Sequence, residues 1–194
     1  MTEKRQGDFY PPLPQIRPGG SATSSTRKRS AAVVFDTRFG STERVAKALE
    51  AGLKEAGMET MCINARGMAP ESLKQFDLIC VGGPTEEMSA SKPMKEFLRS
   101  SRGINLAGRF AFAFDTKLES HLSGSAARYI EHELDDQGLH LVLPRESALV
   151  QVVKQKGSIS GASLREGEEA RFERLGFRVG TAAAADMARI TYAP

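Results

Sequence analysis

With 194 residues and 40% hydrophobic content, the sequence can build one cored domain plus a tail. No stretch approaches the roughly 20 consecutive apolar residues that a membrane span requires. The net charge of +3 is unevenly placed: residues 1–30 carry six Lys/Arg against two Asp/Glu, and residues 31–194 carry 21 against 22. The folded part is therefore near neutral and the basicity lies in the tail.

Residues 1–30 hold Pro11, Pro12, Pro14, Pro18 and a Gly/Ser-rich run, with few apolar residues to offset the entropy of ordering. A disordered tail is expected there, followed by one domain over 31–194. Pro11–Pro14 and Arg27-Lys28-Arg29 offer at most weak polyproline or nucleic-acid contacts. The start does not read as a secretory signal. Cys62 and Cys80 fall inside predicted strands and are expected as buried thiols of a reducing, cytoplasmic compartment. No Cys/His spacing suggests a metal site.

From residue 31 the pattern alternates strand and helix. The apolar run Ala31–Phe35 predicts a buried strand, and the helical spacing of Val45, Ala48, Leu49 and Leu53 predicts a helix over 41–56, stopped by Gly57. A second strand is expected over 58–64, a short helix near 70–74 and a third strand over 76–81. A helix near 91–99 follows, with Pro93 in its first turn. The fourth strand is expected over 109–114 and the next helix over 124–137. A fifth strand begins at Leu139 and resumes past Pro144 over 148–153. The last helix is expected to open on the capping-box pattern Ser163-x-x-Glu166, with Phe172, Leu175, Val179, Ala183 and Met187 on its apolar face.

Five such β/α units predict a three-layer α/β/α domain with a parallel sheet ordered 2-1-3-4-5. In that topology a ligand belongs outside the carboxyl ends of strands one and three.

The first strand runs straight into Thr37-Arg-Phe-Gly-Ser-Thr42 and then a helix. A helix start offers unpaired backbone N–H groups and partial positive charge, which suit a phosphate. The loop lacks the Gly-Lys-Ser/Thr of a Walker A sequence and the three glycines of a dinucleotide fingerprint. The bland alternative is a joint with an ordinary Ser/Thr cap. Two further loops should lie beside it. One is Gly82-Gly83-Pro84-Thr85-Glu86, and the other Asp115-Thr116-Lys117-Leu118 with His121 and Gly124.

Thr37-x-x-Gly40-x-Thr42, Gly82-Gly-Pro-Thr85 and Phe114-Asp-Thr-Lys117 with Gly124-Ser-Ala-Ala127 resemble, in order, the three ligand loops of the flavodoxin family. Leu164–Glu169 resembles the start of that family's last helix. The likeness spans about residues 31–187. It implies a flavodoxin-like fold, FMN as cofactor and a role in electron transfer with a redox partner protein, as a monomer or dimer.

The implied phosphate contacts come from Thr37, Arg38, Phe39, Gly40, Ser41 and Thr42, with Arg38 pairing the anion. The implied ring contacts come from Gly83, Pro84, Thr85, Glu86, Asp115, Thr116, Lys117, Leu118, His121 and Gly124. The family's usual loop has a threonine where Phe39 stands. Its usual ring-stacking Trp or Tyr is missing: there is no Trp, and Tyr10, Tyr129 and Tyr192 lie outside the three loops. Phe39, Met88, Leu118 and His121 are left to cover the ring. Two alternatives stay open: an FMN-dependent NAD(P)H:quinone or flavin reductase, and a binding module of this fold that has lost its flavin. No nucleophile–base pair supports hydrolysis.

Overall fold

The computed structural model describes residues 28–119, 124–155 and 158–191. Most of the expected tail and His121 lie outside the described residues. Ser30, assigned to the tail by its composition, is the first residue of a strand.

The elements in order are β1 (Ser30–Phe35), α1 (Ser41–Glu55), β2 (Glu59–Asn64), two 3₁₀ turns (Ala65–Gly67 and Pro70–Gln75), β3 (Leu78–Glu86), β4 (Ser89–Ala90) and α2 (Lys92–Ser101). They continue with β5 (Phe110–Leu118), α3 (Ala126–Asp136), β6 (His140–Leu141), β7 (Glu146–Gln155), β8 (Ser158–Leu164) and α4 (Glu168–Thr191). The sheet runs β2-β1-β3-β5-β7-β8. Its first five strands are parallel, in the order expected from the sequence.

Alternation along each strand sends side chains to the two faces. Ala31, Val33, Leu78, Cys80, Phe112 and Phe114 pack under α1 and α4. Ala32, Val34, Ile79, Val81, Ala111 and Ala113 pack under α2 and α3. The two clusters make a three-layer α/β/α flavodoxin-like fold, and the apolar face expected of α4 is the one it buries.

Three expectations need correction. First, β3 and β5 run past their expected ends. Gly83 pairs with Asp115 and Pro84 with Thr116, so the residues read as loops continue the parallel ladder. Gly82 makes this possible, because a Cβ there would lie 2.2 Å from the Phe114 ring. Second, the sheet has more strands than five. Pro144 interrupts the fifth predicted strand, leaving β6 at the start of β5 and β7 at its end. An eighth strand, β8, folds back antiparallel on β7. Third, Ser163 does not cap the last helix. It pairs with Gln151 inside β8, and the helix begins at Glu168 after Gly167. Strand pairing overrode a local cap pattern that the residues satisfy on paper.

Candidate functional site

The carboxyl ends of β1, β3 and β5 open on one side of the sheet, and the N-terminus of α1 stands beside them. Between them lies a cleft of about 190 Å³. Thr37, Arg38, Phe39, Ser41 and Thr42 line it from the first loop, Pro84, Thr85 and Glu86 from β3, and Thr116, Lys117 and Leu118 from β5. These are eleven of the sixteen residues assigned to a site from the sequence.

The helix start has a glycine where a side-chain cap would stand. Gly40 adopts φ +83°, a left-handed conformation that turns the chain sharply into α1. No side chain caps this helix. The first N–H groups, those of Ser41, Thr42 and Glu43, therefore enter the helix without intrahelical acceptors. Within the loop the Gly40 N–H donates to the Thr37 hydroxyl at 3.0 Å. The loop's base is fixed by Asp36, whose carboxylate accepts from Ser91 Oγ at 2.6 Å and faces Arg66 Nε at 3.6 Å.

The hydroxyls at the start of α1 have protein partners. Ser41 Oγ donates to the Ala162 carbonyl at 2.9 Å, so its proton points to the sheet edge. Thr42 Oγ1 and Thr116 Oγ1 lie 2.8 Å apart in a buried contact. One hydroxyl of that pair donates to the other, which leaves a single proton for a third group. Backbone N–H groups are thus the main donors available here.

The ring-sized part of the cleft is apolar. Phe39 and Leu118 are 48% and 42% exposed. The Arg38 guanidinium lies over the Phe39 ring at 5.1 Å and reaches Glu86 at 3.8 Å. That exposed pair bridges the first loop and the end of β3 across the mouth. Lys117 adds a second cation.

The remaining assigned residues sit elsewhere. Gly40 and Gly83 shape the backbone and do not line the cleft. Asp115, expected at a ligand edge, is fully buried. Its Oδ2 accepts from Thr85 Oγ1, Ser125 Oγ and the Ala127 N–H at 3.0, 2.8 and 2.9 Å. It ties β3 to the start of α3 behind the cleft. Gly124 adopts φ +66° against the turn Glu87-Met88, where a Cβ would come within 2.3 Å of the Met88 carbonyl. Met88 itself is exposed but outside the lining.

Sequence reasoning missed the fourth wall. Val150 and Val152 of β7 and Gly161 and Ala162 of β8 also line the cleft. The available signal was the glycine at 157 between two short runs permissive for strands.

An open, mostly parallel sheet, with a cleft at its strand-order reversal and a bare helix N-terminus facing that cleft, defines the doubly wound α/β class. The family model described as a flavodoxin domain matches residues 32–141. The chain belongs to the flavodoxin family. It is 33% identical over 85 residues to a flavodoxin of Clostridium saccharobutylicum, an alignment covering 43% of this chain and 53% of the relative. The chain thus spans about half the length of that curated relative. The fold superposes on an archaeal flavodoxin with a TM-score of 0.67 at 20% identity, covering 80% of this chain and 99% of that one. Flavodoxin 1 of Bacillus cereus gives 0.64 at 18% identity, covering 77% and 97%. The flavodiiron protein of Giardia intestinalis gives 0.65 at 21%, covering 82% of this chain and 37% of that one.

Among the described residues no helix is long and apolar enough to cross a membrane.

Proposed function

We propose that the cleft binds FMN and that the protein passes electrons to or from a redox partner protein in the cytoplasm. The observation that carries this reading is the uncapped α1 N-terminus opening into an apolar cleft. The residues fit both halves of the ligand. A phosphate would accept from the N–H groups of Ser41, Thr42 and Glu43, with Arg38 as counter-charge. Phe39, Leu118 and Pro84 offer apolar contact to a planar ring. When bound, FMN supplies reversible one- or two-electron chemistry.

This chain's own residues hold and surround the cofactor. Thr85, tied to Asp115, presents β3 at a fixed height beside the ring position. Lys117 favours negative charge nearby, whereas Glu86 opposes it and is partly offset by Arg38. Screening weakens the Arg38–Glu86 pair, since both side chains are solvent-accessible.

Adding FMN to the purified full-length chain tests the reading. Resolved blue absorption bands and quenched flavin fluorescence are the expected result, and unchanged free-flavin spectra would contradict it. NADPH oxidation measured with and without a quinone separates a carrier from a reductase. A carrier shows no turnover in either case.

A further inference from the structure

The cleft has a wall from outside the matched domain. The flavodoxin model ends at residue 141, and the β7–β8 hairpin begins at Glu146. Val150 and Val152 stand two apart on β7 and face the cleft, and Gly161 and Ala162 of β8 stand beside them. β8 is the edge of the sheet. A backbone carbonyl on an edge strand needs a partner or water. The Ala162 carbonyl takes the Ser41 hydroxyl at 2.9 Å, which fixes the edge strand to the first turn of α1. Phe39 completes this wall. A Cβ on Gly161 would stand 3.9 Å from Phe39 Cδ1, an ordinary contact distance, so the aromatic ring lies against this strand and only a side chain reaching beyond Cβ would press on it. None of the cleft-lining residues is Tyr or Trp.

We propose that the β7–β8 hairpin is the ring-contacting wall of this site: Val152 touches the planar ring of the flavin, with Phe39, which lies against Gly161, beside it. The inference rests on the FMN reading and specifies which surface selects the ring. Phosphate recognition lies at α1, so the two halves of the ligand are read by separate elements.

The separation makes a test. FMN and riboflavin are titrated in parallel into full-length wild type, Val152→Ala and Gly161→Leu, with thermal melting of each apoprotein as the control for folding. Val152→Ala removes two methyl groups from the ring contact and is expected to weaken both flavins by the same factor, about tenfold. Gly161→Leu displaces Phe39 and is expected to weaken both by roughly tenfold or more. Equal loss for the two ligands, with the absorption bands of the residual complex shifted, supports the wall. Wild-type affinity in Val152→Ala overturns it, as does a loss confined to FMN, while leaving the FMN reading standing. If Gly161→Leu melts early, Val152→Ala alone decides. No flavin binding by wild type overturns the FMN reading and the wall with it.

Discussion

Thr42 Oγ1 on α1 and Thr116 Oγ1 on β5 lie 2.8 Å apart and buried, joining the helix that faces the cleft to the central strand behind it. The family resemblance of the sequence implies both residues as ligand contacts. The structure shows that they also contact each other. Removing one hydroxyl strands the other in a dry site, at about 1–3 kcal/mol. Thr42→Val and Thr116→Val should each cost an amount in that range. The double variant should cost clearly less than their sum, because no polar group is left unpaired. Urea unfolding of all four proteins measures this coupling. Strict additivity would mean that water already satisfies the hydroxyls.

Asp115 should behave as an anchor. Its Oδ2 accepts three hydrogen bonds, one from a backbone N–H at the start of α3. Asp115→Ala is expected to lower stability by at least about 1.5–3 kcal/mol, the range for one hydrogen bond to a charged group. Asp115→Asn keeps an acceptor and should lose less. Denaturant midpoints rank the two, and an Ala variant as stable as wild type would remove the anchor role.

The helix seam gives a sharper steric expectation. In exposed helix, Gly→Ala stabilises by up to about 1 kcal/mol. At Gly52 the added Cβ would stand 1.9 Å from the Glu173 carbonyl oxygen and 2.6 Å from the Phe177 nitrogen, both backbone atoms of α4. Backbone cannot rotate away as a side chain does, so α1 and α4 must separate. Gly52→Ala should therefore destabilise, by roughly 1–3 kcal/mol or more. A raised melting temperature would show that the helices part freely.

Much of this architecture is legible without coordinates. Apolar runs such as Ala31–Val34 and Leu78–Val81 are buried on both faces, and a parallel core strand has that pattern. The Thr37–Thr42 loop is legible because an anion site needs a turn residue and a helix start in immediate succession. The β8 strand is not legible in the same way. Ser158–Leu164 contains small and polar residues, and its pairing with β7 is a tertiary fact. Asp115 looks like a surface loop carboxylate until β5 is seen to run past Phe114. Ser41 looks like a phosphate donor until Ala162 arrives from 121 residues away.

The thiols should be inert. Cys80 is buried as expected, whereas Cys62, on the sheet's outermost parallel strand, is only half-buried. Burial is still the main cause that pushes the Cys62 thiol up to about 12, with Glu50 adding to the rise, and burial raises Cys80 as well. The thiolate is the reactive form. At pH 8 an ordinary thiol is partly ionised, whereas these stay protonated. Native protein should resist iodoacetamide at pH 8, and both cysteines should react in urea. A raised folded-state value also means that this contribution to stability is present below about pH 8.5. It is lost as pH rises from there toward 12. Rapid labelling of native protein at pH 8 would contradict the burial argument.

The central claim is that the bare N-terminus of α1 reads the phosphate of a flavin. Parallel fluorescence titrations of FMN and riboflavin into the wild-type full-length chain test it most directly, since the two ligands differ only in that group. Each hydrogen bond to the charged phosphate is worth about 1.5–3 kcal/mol. FMN is therefore expected to bind at least about tenfold more tightly than riboflavin, with the gap narrowing as salt is added. Equal affinity for both, or no quenching of either, would contradict the account.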